Sequence, residues 1–445
     1  MRERPPLPPG PYLVVGLARS GVAAALALRA AAPGERVVAC DSGRPAHAAE
    51  DAERLAAAGV EVHLDTDGTH LLQASPPPAT LVKSPGVPGG APVVAAARAA
   101  GLAVLGELEL GWRLVPNEFI AVTGTNGKTT TVELIGAIHR AADAPVAVAG
   151  NVGTPVTALA GALDADATVV CEASSFQLED SVAFSPEAAV FLNLEPDHLD
   201  RHFTEAVYRD AKLRVFANRR PGDVAVVTET LPDLPATVRF GTGPSCEMRF
   251  DGRRLLWREE PLIDASEVRL RGRHNLDNAM AAAAVCLERG LGPEAVRSGL
   301  RDFAGVRHRL ETVTERDGVL FVNDSKATNV SAAVRALESF EGGVHAILGG
   351  SVKGGGFAAL APAVAARCAA CYLIGQAAPA LARDLAAAGV ELVECGDLAR
   401  AVRAAADRAR PGEVVLLAPA CASFDQYRDF EERGEHFRAL VGELA

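Results

Sequence analysis

The chain has 445 residues, 49% of them hydrophobic, which is length and apolar content for about two to four domains with sizeable cores. Its 44 Lys and Arg against 56 Asp and Glu give a formal net charge of −12. That balance excludes a general nucleic-acid or membrane-surface binder, but not a local positive site for small anions. The start, Met1 to Pro11, is proline-rich and lacks an apolar signal segment. The apolar stretches further on are alanine-rich and interrupted by Gly, Pro or charge, so a cytoplasmic protein without membrane insertion is expected. The eight cysteines are scattered, and Cys368-x-x-Cys371 has no second pair at zinc spacing, so buried structural thiols are expected.

The first segment, residues 1–109, alternates strands and helices. Tyr12 to Val15 reads as a strand. The turn Gly16-Leu17-Ala18-Arg19-Ser20-Gly21 enters an alanine-rich helix, and Arg36 to Cys40 is a second strand ending at Asp41 and Ser42. With Asp41 placed 20 residues beyond Gly21, this is close to a dinucleotide fingerprint with Ala18 at the second glycine position. It implies either a phosphate or ribose at this crevice, or merely a tight first turn. Val60 to Leu64 and Thr80 to Lys83 are further strands. The turn Lys83-Ser84-Pro85-Gly86-Val87 after the latter could offer donors to a ligand or be plain punctuation. Gly101 to Gly106 reads as a strand, and Glu107 to Leu114 as a short helix.

The central segment, residues 110–304, opens with an apolar run, Phe119 to Val122. Thr123-Gly124-Thr125-Asn126-Gly127-Lys128-Thr129-Thr130 follows, and then a helix. A strand feeding a glycine-rich turn at a helix start is a phosphate cradle: backbone N–H groups and the helix dipole both favour an anion there. Lys128 would reach the outer phosphates, and the Thr129 hydroxyl would ligate Mg²⁺. Val122 stands where the usual P-loop has its first glycine, so the loop is a shorter form.

Pro145 to Ala149, Thr168 to Cys171 and Ala188 to Leu192 read as strands. They end in Gly150-Asn151, in Glu172 and in Asn193 to Asp200 respectively. Ligands of parallel α/β sheets bind beyond the carboxyl ends of strands, so Lys128, Glu172 and His198 share one rim. Glu172 could ligate Mg²⁺, or be a cap or a solvated side chain. His198 and His202 have a spacing open to zinc on a helix, but no accompanying glutamate of a metalloprotease. Thr204 to Asn218 reads as an amphipathic helix, in which Lys212 by itself is a solvated lysine. Residues 230 to 270 read as irregular or antiparallel β structure. Asn275 and Asn278 share a helix face and could read an adenine edge or cap a turn.

The last segment, residues 305–445, repeats the strand-then-helix pattern. Strands are expected at Val319 to Val322, His345 to Leu348, Cys371 to Ile374 and Val414 to Leu417. The fold class is therefore α/β in three domains: a Rossmann-like N-terminal domain, a central P-loop ATPase-like domain and a Rossmann-like C-terminal domain.

Together, Gly124 to Thr129, Glu172, His198, the Lys212 helix and His274-Asn275-x-x-Asn278 resemble the Mur ligases of bacterial cell-wall synthesis. The stretches Lys83 to Val87, Glu172 to Leu178, Asn323 to Asn329, Ala420 to Tyr427 and Phe430 to Gly434 extend the resemblance over nearly the whole chain. It implies ATP-dependent amide-bond formation, adding D-glutamate to UDP-N-acetylmuramoyl-L-alanine through an acyl phosphate, with Mg²⁺. By resemblance, Gly124, Thr125, Asn126, Gly127, Lys128, Thr129, Thr130, Asn275, Asn278, Arg309 and Asp324 serve ATP. Lys128, Glu172, His198 and Lys212 are catalytic, and Thr129, Glu172, His198 and Lys212 serve the metal. Lys212 falls at the position that the family carbamylates, which replaces the solvated reading. Gly16, Leu17, Arg19, Ser20, Asp41, Ser42, Ser84, Pro85, Gly86 and Asn151 fall where the UDP substrate binds, and Thr328, Lys353, Ser423 and Phe430 where D-glutamate binds. Three positions depart from the family pattern: Ala18 for glycine, Ser42 for threonine and Ser351 for aspartate. The expected partners are these small molecules only, and the expected state is a monomer.

Three other readings compete. A folylpolyglutamate-type or other Mur-type ligase would share the central motifs. A nicotinamide-dependent oxidoreductase would use Gly16 to Asp41 but leave the Lys128 loop without a task. A non-catalytic nucleotide switch would use that loop alone.

Overall fold

Tyr12-Leu13-Val14-Val15 is buried at all four positions, and its side chains alternate between two cores. Tyr12 and Val14 pack with Val22, Ala25 and Leu28 of the helix Arg19–Ala31, whereas Leu13 and Val15 pack with Val93, Val94 and Ala97 of the helix Pro92–Ala99. A strand apolar on both faces belongs in a sheet covered on both sides, as parallel sheets are. The computed structural model describes residues 2–44, 48–270, 272–352 and 356–444. They group into two units, Met1–Val268 with Asp277–Asp302, and Arg269–Leu276 with Phe303–Ala445.

The first unit carries two sheets. Strands β1 (Tyr12–Val15), β2 (Val37–Cys40), β3 (Glu61–His63), β4 (Thr80–Lys83) and β5 (Ala103–Gly106) form an all-parallel sheet ordered β3-β2-β1-β4-β5. The strand order reverses between β1 and β4, and that switch point opens a crevice at their carboxyl ends.

The second sheet holds β6 (Glu118–Thr123), β7 (Val146–Gly150), β8 (Thr168–Glu172), β9 (Ala188–Phe191), β10 (Val224–Thr228), β11 (Val238–Gly241), β12 (Met248–Phe250), β13 (Arg254–Trp257) and β14 (Glu260–Asp264). Its order is β14-β13-β12-β11-β10-β9-β6-β8-β7. All pairs are parallel except β12 with β13 and β13 with β14. The expectation for residues 230 to 270 therefore holds for the two hairpin pairs, while β11 extends the parallel sheet. Between β13 and β14, Arg258 and Glu259 turn the chain with φ of 48° and 70°, as a two-residue hairpin loop requires.

The helix expected from Thr204 to Asn218 is shorter. Thr204 caps it, accepting the Val207 N–H, the helix runs Glu205–Leu213, and the chain tightens into a 3₁₀ turn at Arg214–Phe216.

The second unit has β15 (Glu311–Arg316), β16 (Val319–Asn323), β17 (Val344–Gly349), β18 (Cys368–Ile374), β19 (Glu391–Gly396) and β20 (Val414–Leu417) in the order β15-β16-β20-β17-β18-β19. Only β15 is antiparallel. Separate apolar clusters cover its two faces, one with Leu337 and Leu381, the other with Leu398 and Phe437. No disulfide joins the cysteines. Seven of the eight are buried and Cys368 is half-buried at the start of β18. Among the described residues no helix is long and apolar enough to cross a membrane.

Candidate active site

Strand β6 delivers Thr123 to a loop whose glycines adopt φ of 149° (Gly124) and 86° (Gly127). The loop is pinned to the segment after β9. Thr125 N–H donates to Asn193 O (3.1 Å), Asn126 N–H to Asn193 Oδ1 (2.8 Å), and Asn126 Nδ2 to Glu195 Oε2 (2.9 Å). The Tyr208 hydroxyl donates to Thr125 Oγ1 (3.1 Å).

Helix Lys128–Ala141 starts at the end of this loop, and no side chain caps it. Its first-turn N–H groups thus point at a position suited to an anion. The Thr130 hydroxyl is buried there with no partner among the described residues. Lys128 folds over the loop, its Nζ donating to Gly124 O (3.0 Å) and Thr125 O (2.9 Å).

Asn278, from the helix Arg273–Glu288, closes the other side. Its Oδ1 accepts the Thr131 hydroxyl at 3.4 Å and would lie 2.1 Å from a Cβ added at Gly127. Gly127→Ala would meet both that oxygen and a left-handed backbone. It is expected to lower unfolding free energy by about 1–2 kcal/mol or more, read from denaturant melts.

Glu172, at the end of β8, is 2% exposed. This settles its local role against a solvated side chain: Oε2 accepts the Thr129 hydroxyl (2.7 Å) and Oε1 accepts Asn151 Nδ2 (3.0 Å). Gly150 and Asn151 follow β7 beside it, and the Asn151 N–H bonds to Glu172 O at 2.9 Å.

Lys212 is likewise buried, at 1% exposure, and this corrects the solvated-lysine reading. It lies on the inward face of helix Glu205–Leu213, one turn after Tyr208, over whose ring its Nζ sits at 4.6 Å. That Nζ donates to Gly124 O at 2.8 Å, the same carbonyl that Lys128 uses. Burial, with the charge of Lys128 added to it, pushes the amine down to about 6, while Asp197 and Glu172 oppose the shift.

His198 has φ of 52° and stays largely exposed, its ring 4.7 Å from that of Phe176. His202 is buried, 3.0 Å from Ser175 Oγ and stacked on Phe176. Among the described residues no cluster of three His, Cys, Asp or Glu side chains stands ready for a metal. A divalent cation here would take the Thr129 hydroxyl and the Glu172 carboxylate and complete its shell from phosphate and water oxygens, which suits Mg²⁺.

The switch point of the first sheet is a cavity of about 490 Å³. Among its lining residues are Gly16, Ser20, Asp41, Ser42, Ser84 and Asn151, with Pro85 and Gly86 on the same turn as Ser84. Asp41 Oδ2 accepts the Leu17 N–H (2.7 Å), and the Ser84 hydroxyl donates to Gly16 O (2.8 Å), so these groups shape the turn itself. Arg19 lies instead along a second hollow, with Pro155 and Thr157.

In the second unit, Asp324 is buried and its carboxyl is raised to about 6 by burial, against the pull of Arg309, the Leu310 N–H and Lys326. Asn275 is buried, its N–H on Gly272 O at 3.0 Å. The loops carrying Thr328 and Ser423 meet the start of the helix Phe430–Gly442 around that helix's own Arg433. This fully buried guanidinium donates to Ser325 Oγ and O (3.0 and 2.9 Å) and to Cys421 O and Ala422 O (both 3.2 Å). The Ser325 hydroxyl donates to Phe430 O at 2.7 Å, and Lys326 Nζ lies 5.4 Å from the Phe430 ring. Lys353 lies outside the described residues.

Asn193, Glu195 and Tyr208, which hold the phosphate loop, and Arg433 were not singled out as site residues by the sequence. Asn193 and Glu195 could have been found from their place at the carboxyl end of β9.

Residues 122–286 match the Mur ligase middle domain, and residues 308–421 match the Mur ligase, glutamate ligase domain. The UDP-N-acetylmuramoylalanine–D-glutamate ligase of Acidobacterium capsulatum is 41% identical, the match covering 96% of this chain and 95% of the relative. That of Gloeobacter violaceus is 41% identical over 97% of this chain and 99% of the relative. The structure of the UDP-N-acetylmuramate–alanine ligase of Thermotoga maritima covers 97% of this chain and 99% of its own, with a TM-score of 0.64 and 18% identity, a likeness of fold. With a phosphate loop, a buried carboxylate and a buried lysine gathered at the carboxyl ends of the parallel strands of one sheet, and with matches running nearly end to end, the chain belongs to the Mur ligase family.

Proposed function

We propose that the chain is an ATP-dependent ligase that joins D-glutamate to UDP-N-acetylmuramoyl-L-alanine in the synthesis of the peptidoglycan precursor. Relatives about as long as this chain and near 40% identical carry that activity in their names. One observation carries the reading at the level of atoms. A single carboxylate, Glu172, touches both Thr129 on the phosphate loop and Asn151 on the wall of the first-sheet cavity, at 2.7 and 3.0 Å. Two ligands seated in these places would meet at one group, which suits transfer of a phosphoryl group between them.

In this reading residues 1–109 hold the UDP substrate, 110–304 hold ATP and 305–445 hold D-glutamate. The alanyl carboxylate attacks the γ-phosphorus of ATP, and ADP leaves. The amine of D-glutamate then attacks the acyl carbon, gives up a proton and displaces inorganic phosphate. Such chemistry asks the protein for positioning and charge neutralisation, with no covalent protein intermediate.

Gly124, Thr125, Asn126, Gly127, Lys128, Thr129 and Thr130 cradle the phosphates, and Lys128 swings from its loop carbonyls onto the outer ones. Asn275, Asn278, Arg309 and Asp324 serve the nucleotide. Mg²⁺ supplies charge neutralisation at the migrating phosphoryl group. Thr129, Glu172, His198 and Lys212 serve it, Lys212 as a carbamate whose formation its neutral amine favours. Gly16, Leu17, Arg19, Ser20, Asp41, Ser42, Ser84, Pro85, Gly86 and Asn151 serve the UDP substrate. Thr328, Lys353, Ser423 and Phe430 serve the amino acid, where a cation and hydroxyl donors suit a dicarboxylate. The enzyme acts as a cytoplasmic monomer.

Phosphate release is expected only when D-glutamate and UDP-N-acetylmuramoyl-L-alanine are both present. Equal rates with L-glutamate, or with no amino acid, in a coupled phosphate assay would overturn the reading. Turnover on a folate acceptor in place of the sugar nucleotide would favour the folylpolyglutamate-type alternative.

A further inference from the structure

The wall of the first-sheet cavity is tied to the segment that carries His198. Val87, on that wall, offers its carbonyl to two cations: Lys83 Nζ at 2.8 Å and Arg201 Nη2 at 3.0 Å. The same Arg201 nitrogen donates to Glu179 Oε1 at 2.5 Å, and that oxygen lies 3.5 Å from Lys83 Nζ. Lys83 is fully buried and lies 2.6 Å from Asp180 Oδ2, an ion pair by distance rather than an aligned hydrogen bond.

Arg201 sits on the short helix Leu199–His202, three positions after His198. Its guanidinium lies over the Phe176 ring at 5.0 Å, and the His198 ring meets the same phenyl ring at 4.7 Å. Phe176 belongs to the turn that begins just after Glu172 and also brings Gln177 to the cavity. A continuous path therefore runs from cavity wall through guanidinium and phenyl ring to imidazole. It is made of packed and hydrogen-bonded groups, the material through which sites couple.

We propose that Arg201 is a positioning residue that locks the His198 segment to the Val87 wall, so that filling the cavity and completing the metal-nucleotide site favour each other. The proposal rests on the reading of the cavity as the sugar-nucleotide site and of His198 as part of the metal site. Arg201 suits the task because its planar fork can bond a carbonyl and a carboxylate while lying flat on a ring, which an ammonium cannot do. With Arg201 removed, Lys83 still holds the Val87 carbonyl, so the wall survives and what is lost is its tie to His198.

The test is calorimetry on the full chain with UDP-N-acetylmuramoyl-L-alanine, with and without a magnesium-bound non-hydrolysable ATP analogue. In the wild type the analogue is expected to tighten sugar-nucleotide binding about tenfold. In Arg201→Ala each ligand alone should bind nearly as in the wild type, and the tightening should vanish. A merely structural role would weaken each ligand and leave the ratio in place. Arg201→Ala retaining the tightening, or a wild type that binds both ligands without any, overturns the proposal. Failure of the wild type to bind either ligand overturns the underlying site reading instead. Should Arg201→Ala not fold, Glu179→Gln, which keeps the shape and removes the carboxylate charge that orients the guanidinium, is read in the same way.

Discussion

Lys212→Ala is expected to lower kcat by about a hundredfold to a thousandfold while leaving the affinity for an ATP analogue close to wild type. The side chain reaches Gly124 O, and the loop keeps its bonds to Asn193 and Glu195 without it. What disappears is an amine held at about 6 instead of 10.5. Above that value the folded protein presents a neutral nitrogen. It can attack CO₂, forming an N–C bond and releasing a proton, which leaves an anion at the phosphate loop near Gly124. The sign of the linkage follows. Between about 6 and 10.5 the unfolded chain holds the proton that the folded chain has lost, so this lysine makes stability rise with pH across that window. Its penalty is greatest below about 6. Wild-type protein in ¹³C-bicarbonate should show a carbamate resonance that Lys212→Ala lacks. Wild-type turnover in that variant would remove the carbamate from the mechanism.

Lys128→Ala should behave differently. Here nucleotide affinity and turnover fall together, with kcat/KM down about a thousandfold, because a charge-assisted bond to the phosphates is lost in both ground and transition states. Equilibrium binding of the ATP analogue separates the two lysines: it drops in Lys128→Ala and stays in Lys212→Ala. If the analogue bound Lys128→Ala as tightly as wild type, Lys128 would not be a phosphate ligand.

The rim of the central sheet was legible because its information is local. Gly124 to Thr130 follow an apolar run and precede a helix, and Glu172 closes a buried strand; these patterns need no knowledge of what lies across the sheet. Thr80 to Lys83 and Val414 to Leu417 were readable for the same reason. Lys212 was not. Its neighbours on the helix are ordinary, and only the approach of that helix to Gly124 buries it.

Edge strands also escaped. Glu311–Arg316 and Glu391–Gly396, at the two edges of their sheet, mix charged and apolar residues, and the interior strand β10 follows a Pro-Gly turn in the gap between the expected helix and the expected β region. Lys83 looked like part of a turn, yet it is fully buried against Asp180. A charge that finds its partner roughly a hundred positions away in sequence leaves no periodicity to read.

Most thiols of this enzyme are shielded by burial. Burial pushes Cys40 up to about 12 and Cys246 up to about 11, and it raises Cys171, Cys286 and Cys395 as well, so the reactive thiolate is scarce in the native state. Electrophiles and oxidants therefore wait on backbone opening before they can reach most of these sulfurs. Reaction at these buried thiols is thereby coupled to local unfolding.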